Sequence, residues 1–421
     1  MPSPQFSGWQ RKLLKAFAFG AVVQMASLPL FAPEAAAAAP ATSTVAAVTS
    51  VEPALRPATG VVSGGATSPR RIEPTYTIQV GLENEIFPVF ANHAALQPRD
   101  ERTWGTVAVT VRNSTDASLR NRIAVQVPGW SDQEIQIAEM AAGDVRTVLF
   151  APSFLPRLYQ NQELTAATVN VQVTDMGGRT VFEQTVPVHL RAADDMYWGQ
   201  NFKFAPFIAS WITPHDPRVE LVLSHAKEFV PNRRLPGYED WKDEAGQERE
   251  TEIEARAIYR ALQAGRVSYV KSSITFGGNN EVSERVRMPR ESLRQSAANC
   301  IDGVVLFASL FENLGMAPAV VVVPGHAYVG VRVARGSSRY LYFDTALTGR
   351  ASFEAAVAAA ERGLAKYPQS QILSVRVDDA RRAGIFPMPQ GATTADANLT
   401  ADFPVDDSEP ISKAAPVPAG R

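Results

Sequence analysis

The chain has 421 residues, 45% of them hydrophobic and 20% charged, which is ordinary globular composition and enough length for two domains with cores of their own. With 41 basic and 43 acidic residues it is close to neutral, so there is no broad electrostatic footprint for nucleic acid or an anionic membrane surface. Cys300 is the only cysteine, which excludes a disulfide framework within the chain.

At the N-terminus Arg11, Lys12 and Lys15 accompany an apolar stretch from Leu13 through Phe31, and the small residues Ala35 to Ala39 follow. A charged segment, an apolar segment and a small-residue cleavage site predict a signal peptide over 1–39 rather than a retained anchor. The expectation is a periplasmic or secreted mature chain without a membrane span. Residues 40–74 are rich in Ala, Pro, Thr, Ser and Gly and are expected to be a disordered linker.

From 75 to 191 short alternating runs recur, among them Val107, Val109 and Val111 on one face, Ile123 to Val127, Val145 to Phe150, Thr168 to Val173 and Val181 to Leu190. Turn formers such as Pro128-Gly129 and Met176-Gly177-Gly178 separate them. About seven strands at this spacing predict an immunoglobulin-like β-sandwich. His93 and His189 lack a partner at metal-ligand spacing, so a structural or surface role is assigned to each and neither a metal nor another cofactor is expected.

From Ala192 onward the pattern turns helical. Asp216-Pro217 is a cap and first-turn pair, and the aromatic-rich segment Trp198 to Trp211 is expected to pack at the domain junction. Glu239 to Glu254 is charge-rich without calcium-loop spacing and is assigned to a solvated helix start, the helix ending at Gly265. A helix beginning near Asn299 is apolar almost all round and should be buried. The strand runs Ala319 to Val323, Ala327 to Val333 and Tyr340 to Thr345 follow it, then a helix from Phe353 to Ala365 and a last strand from Ile372 to Val377. Residues 192–386 therefore read as an α+β domain with one buried helix against an antiparallel sheet. The tail, 387–421, is expected to be disordered.

In an oxidising compartment structural cysteines come in pairs, so an unpaired one is either buried or functional. Cys300 stands at a helix start, where unpaired amides and the helix dipole favour a thiolate. Asn299 and Ser296 are the candidate caps, and the Cys300 N–H is a candidate oxyanion donor. His326, after Pro324-Gly325 at the entrance to a strand, can serve as the base, its ring projecting over the sheet towards the helix start. Asp344 can orient it. The pleat supplies a geometric condition: His326, Tyr328, Gly330 and Arg332 share one face, and Asp344 joins them only if Tyr340 lies opposite Arg332 or is shifted by an even number.

Residues 285–347 resemble the core of the transglutaminase-like superfamily. Cys300, Asp302 and Leu314-Gly315 match its nucleophile helix, Gly325-His326-Ala327-Tyr328-Val329 its His motif, and Tyr342-Phe343-Asp344-Thr345 its Asp motif. Arg287-Met288-Pro289-Arg290-Glu291-Ser292-Leu293 resembles the Pro-x-Glu-x-Leu lead-in of bacterial members. The resemblance implies a papain-like fold and a catalytic Cys300, His326 and Asp344. The chain departs from the family pattern in having Ala298-Asn299 before the cysteine, and it leaves the side-chain oxyanion donor open among Asn299, Gln295 and Gln200. Asp302, two residues after Cys300, points away from the thiol and is assigned a structural hydrogen bond in the first turn.

The expected activity is cysteine-dependent chemistry on amide bonds, as a peptidase or amidase acting on a peptide or protein of the cell envelope. A non-catalytic binding module that keeps the fold and a protein-crosslinking transglutaminase are the alternatives.

Overall fold

The computed structural model describes residues 73–98, 104–271, 275–276 and 283–390. The signal peptide of 1–39, all but the last two residues of the linker, and most of the tail assigned from the sequence lie outside the described residues. No helix among the described residues is long and apolar enough to cross a membrane.

The protein is a mixed α+β structure with several antiparallel sheets. Its N-terminal part contains β1 (Thr75–Val80), β2 (Glu85–Ile86), helix α1 (Pro88–Asn92), β3 (Val107–Arg112), β4 (Leu119–Gln126), β5 (Glu134–Met140), β6 (Val145–Phe150), β7 (Thr165–Asp175) and β8 (Thr180–Leu190). They form a three-stranded sheet, β1-β3-β6, and a five-stranded sheet, β2-β8-β7-β4-β5. Alternate residues of both sheets, including Val109, Phe150, Ile123, Val171 and Leu190, bury a common core. Strand β2, too short to show alternation in the sequence, pairs parallel with β8 and adds an edge that the spacing argument did not anticipate.

The segment between β2 and β3 departs from the expected sandwich. Phe87, Phe90 and Trp104 belong to the other core, where Phe90 packs on Trp104 (centroids 5.3 Å apart), Phe204 (4.8 Å) and Phe207 (5.3 Å). The aromatic segment Trp198 to Trp211 thus packs with Phe90 and Trp104 in one core. His93 has the structural role assigned to it. Its Nδ1–H donates to the Val89 carbonyl at 2.7 Å and its Nε2 accepts from the Phe386 N–H at 3.1 Å, tying α1 to the C-terminal segment.

The remaining elements are β9 (Asp195–Tyr197), α2 (Pro217–Ala226), α3 (Glu244–Ala264), β10 (Ser268–Tyr269), β11 (Thr275–Phe276), β12 (Ser283–Arg285), α4 (Pro289–Gln295), β13 (Ala297–Ala298), α5 (Cys300–Asn313), β14 (Pro318–Val323), β15 (His326–Arg332), β16 (Tyr340–Phe343), α6 (Phe353–Leu364), β17 (Leu373–Arg376) and α7 (Val377–Arg382). Helix α2 begins as expected: the Asp216 side chain caps the Arg218 N–H and Pro217 occupies the first turn. Helix α3 is capped by Asp243, but the charged run that opens it is not solvated throughout. Glu254 is completely buried, accepts from the Gly237 N–H at 2.8 Å, and is pushed up to about 8 by burial.

The antiparallel sheet β16-β15-β14-β17 is covered on both faces. Val320, Val329, Val331 and Phe343 join the main core with α5, and Val321, Val323 and Tyr328 pack with Ala360 of α6. Val304, Val305, Leu306, Phe307, Leu310 and Phe311 of α5 are buried almost completely. Each such side chain stabilises the fold by roughly 1.5–3 kcal/mol relative to exposure, so the helix that begins at Cys300 is firmly anchored.

Candidate active site

The start of α5 is fixed by a capping box. Asn299 Oδ1 accepts from the Asp302 N–H at 2.8 Å, and Asp302 Oδ2 accepts from the Asn299 N–H at 3.1 Å. Asp302 therefore has the structural role read from its position. It is fully buried, accepts from the Arg287 N–H at 2.8 Å and faces the Arg287 guanidinium at 3.5 Å. Burial raises its carboxyl, and those two amides and the guanidinium pull it back down. Ser296, the other candidate cap, instead ends α4 with a left-handed φ of 48°. The chain then enters α5 through β13, which pairs parallel with β10 (Ser268↔Ala297, Tyr269↔Ala298).

The base is set by a two-residue hairpin. Val323 lies opposite His326, and between them stand Pro324 and Gly325, whose φ of 77° suits the third position of a type II turn. Strand β15 pairs with β16 so that Arg332 lies opposite Tyr340 and Gly330 opposite Tyr342. This is the register the pleat required. It puts Asp344 on the face of His326, whose Nε2–H donates to Asp344 Oδ1 at 3.0 Å. Asp344 is itself held in place, with its Oδ1 also accepting from the Ala346 N–H at 3.0 Å. The edge of the His326 ring meets Tyr328 nearly at right angles, with centroids 4.7 Å apart.

The face that carries His326 and Tyr328 is the one packed by α6, whereas α5 covers the other. Cys300 and His326 meet at the end of the sheet. There Cys300 stands close enough to the His326 ring, whose Nε2 is occupied by Asp344, to favour its charged form. Cys300 is partly exposed.

Gly303 permits this meeting. A Cβ there would lie 2.6 Å from Thr345 Oγ1 and 2.9 Å from Thr345 Cβ, so only glycine lets the first turn of α5 seat against the residue after Asp344. Thr345 completes the contact by donating to the Cys300 carbonyl at 3.3 Å. Neither feature was read from the sequence, because a glycine inside an apolar helix carries no sign of its neighbour.

The hydrogen bond to Asp344 and then the neighbouring Cys300 raise the His326 imidazole to about 9 against the opposing effect of burial. The ring is thus an imidazolium at neutral pH, facing a thiol on one side and a carboxylate on the other. No protein-family model matches the chain. No curated protein matches it significantly. The chemistry therefore rests on the site itself.

The structure brings together Cys300, His326 and Asp344, and it treats the three candidate oxyanion side chains differently. Asn299 is buried and its Oδ1 is committed to the cap. Gln295 is exposed at the end of α4 and Gln200 is exposed on the short 3-10 turn Gln200–Phe202. Among the described residues the Cys300 N–H donates to no group, so it is available to an incoming oxygen. No group of His, Cys, Asp and Glu able to hold a metal ion occurs among the described residues.

Proposed function

We propose that the protein is a cysteine-dependent enzyme acting on amide bonds, with Cys300 as nucleophile, His326 as acid and base, and Asp344 as the group that orients the ring. The observation that carries this reading is that one imidazole meets both partners, with His326 Nε2 bonded to Asp344 Oδ1 at 3.0 Å and Cys300 close enough to raise the same ring. Attack on a carbonyl carbon is made by the thiolate form of the cysteine, with the imidazolium beside it as the proton donor. The oxyanion that develops receives the N–H of Cys300 at the positive end of α5. The imidazolium then protonates the leaving amine, leaving a thioester on Cys300. The now neutral ring takes a proton from water, which attacks the thioester and releases the acid.

The same reading assigns residues 192–386 to a transglutaminase-like, papain-like domain and 75–191 to an immunoglobulin-like sandwich before it. With export through the segment 1–39, the substrate is a peptide or protein of the periplasm or the cell surface. Hydrolysis is the simpler outcome, since water alone completes it.

Incubating the mature chain with envelope proteins and mapping new N-termini by mass spectrometry tests this. New termini are expected with the wild type and none with Cys300→Ala. The same set of cleavages from the variant, or none from either protein together with an unreactive Cys300, overturns the proposal.

A further inference from the structure

The strand beside the nucleophile carries a second feature. Along β10 the Ser268 N–H donates to the Ser296 carbonyl at 3.1 Å and the Val270 N–H, two residues on, donates to the Ala298 carbonyl at 3.0 Å. Tyr269 lies between them, level with Ala298, which stands two residues before Cys300, and the residue is 43% exposed.

The other flank of β10 is the turn after Asp344. A Cβ on Gly349 would lie 3.1 Å from Ser268 Cα, Ser268 Cβ and the Val267 carbonyl oxygen, so these two backbones touch. Gly349 therefore abuts Ser268, and Arg350 follows it in the chain as Tyr269 follows Ser268. Arg350 is exposed and forms no ion pair among the described residues, unlike Arg332, Arg339 and Arg381, each held by a carboxylate. Partial burial, and then the charges at Cys300 and Asp344, push the Tyr269 phenol up, while Arg350 pulls it down, which puts all three groups within electrostatic reach of its ring.

Resting on the reading of Cys300 as nucleophile, we infer that Tyr269 and Arg350 form the recognition edge of the site and select peptides that carry a carboxylate side chain beside the scissile amide. The guanidinium pairs with that carboxylate, and the Tyr269 ring supports the adjoining chain. An unpaired arginine next to a half-exposed aromatic, at the lip of a thiol site, suits an acidic residue better than an apolar one.

The test uses two alkylating probes that differ only in charge, chloroacetyl-glutamic acid amide and chloroacetyl-glutamine amide. Each is attacked at its CH2 by the Cys300 sulfur with loss of chloride. In the wild type the glutamate probe is expected to label Cys300 about tenfold faster than the glutamine probe at low salt, with the ratio falling as salt rises. In Arg350→Gln the ratio should collapse to about one, and in Arg350→Glu it should invert, which also shows that the variant is folded. A wild-type ratio near one, or a ratio unchanged in Arg350→Gln, overturns the inference. Because the probes need only a thiol, this result is read independently of peptide turnover, so a failure of recognition is distinguished from a failure of the proposed chemistry.

Discussion

Asparagine at His326 is expected to slow peptide turnover by roughly 10²–10⁴-fold, the usual contribution of a positioned acid and base. The ring both stabilises the thiolate and protonates the leaving amine, so kcat should fall with little change in KM. The same ring sets the alkaline limit of the wild type. Asp344 and Cys300 hold it at about 9, so kcat/KM should decline as pH rises through about 9, when the proton for the leaving group is lost. The stability consequence has the same direction. The folded value lies above the ordinary 6.5, so the stabilisation from the charged ring is fully present below about pH 6.5 and disappears as pH rises through about 9. A pH–rate profile of the wild type and a kcat and KM pair for His326→Asn check both statements.

The second large effect is on folding. Arg381 of α7 is held by Glu312 near the end of α5 through two bonds, Nε to Oε1 at 2.8 Å and Nη2 to Oε2 at 2.9 Å. It also donates to the carbonyls of Ala209 (3.0 Å), Ile212 (2.9 Å) and Ile385 (2.9 Å). Both side chains are largely buried, at 16% and 20% exposure. Arg381→Met would leave a carboxylate and three carbonyls without their donor in a poorly solvated place, and on the order of 3–5 kcal/mol of stability should be lost. Denaturant melts check this. The double variant Arg381→Met, Glu312→Met should recover part of the loss, because no buried charge is then left unpaired.

The nucleophile unit was legible because each of its parts carries a local signature. An apolar run of helical length begins after a capping asparagine. A Pro-Gly pair precedes His326, and the alternation in Ala327 to Val333 and Tyr340 to Thr345 restricts the register to even shifts. These signals are set by neighbours in the chain, and the pairing of Arg332 with Tyr340 agrees with them. What escaped notice depends on residues far apart. Glu254 sits in a charged run and looked solvated, yet the fold closes over it and gives it the Gly237 N–H. Phe87, Phe90 and Trp104 lie between strands of one core and pack into another. Gly303 with Thr345, and Tyr269 with Arg350, are contacts made only after the sheet end and the strand beside Cys300 are assembled. Sequence periodicity assigns a face to a residue, but it does not say what will be laid against that face.

The proposed chemistry depends most directly on the state of one sulfur. The measurement is the rate of Cys300 alkylation by iodoacetamide at pH 7 in the native protein, wild type beside His326→Asn. A thiolate held by an imidazolium should react about tenfold or more faster in the wild type than in the variant, where the thiol has lost its charged partner. Equal rates in the two proteins would contradict a nucleophilic Cys300 and with it the proposed chemistry.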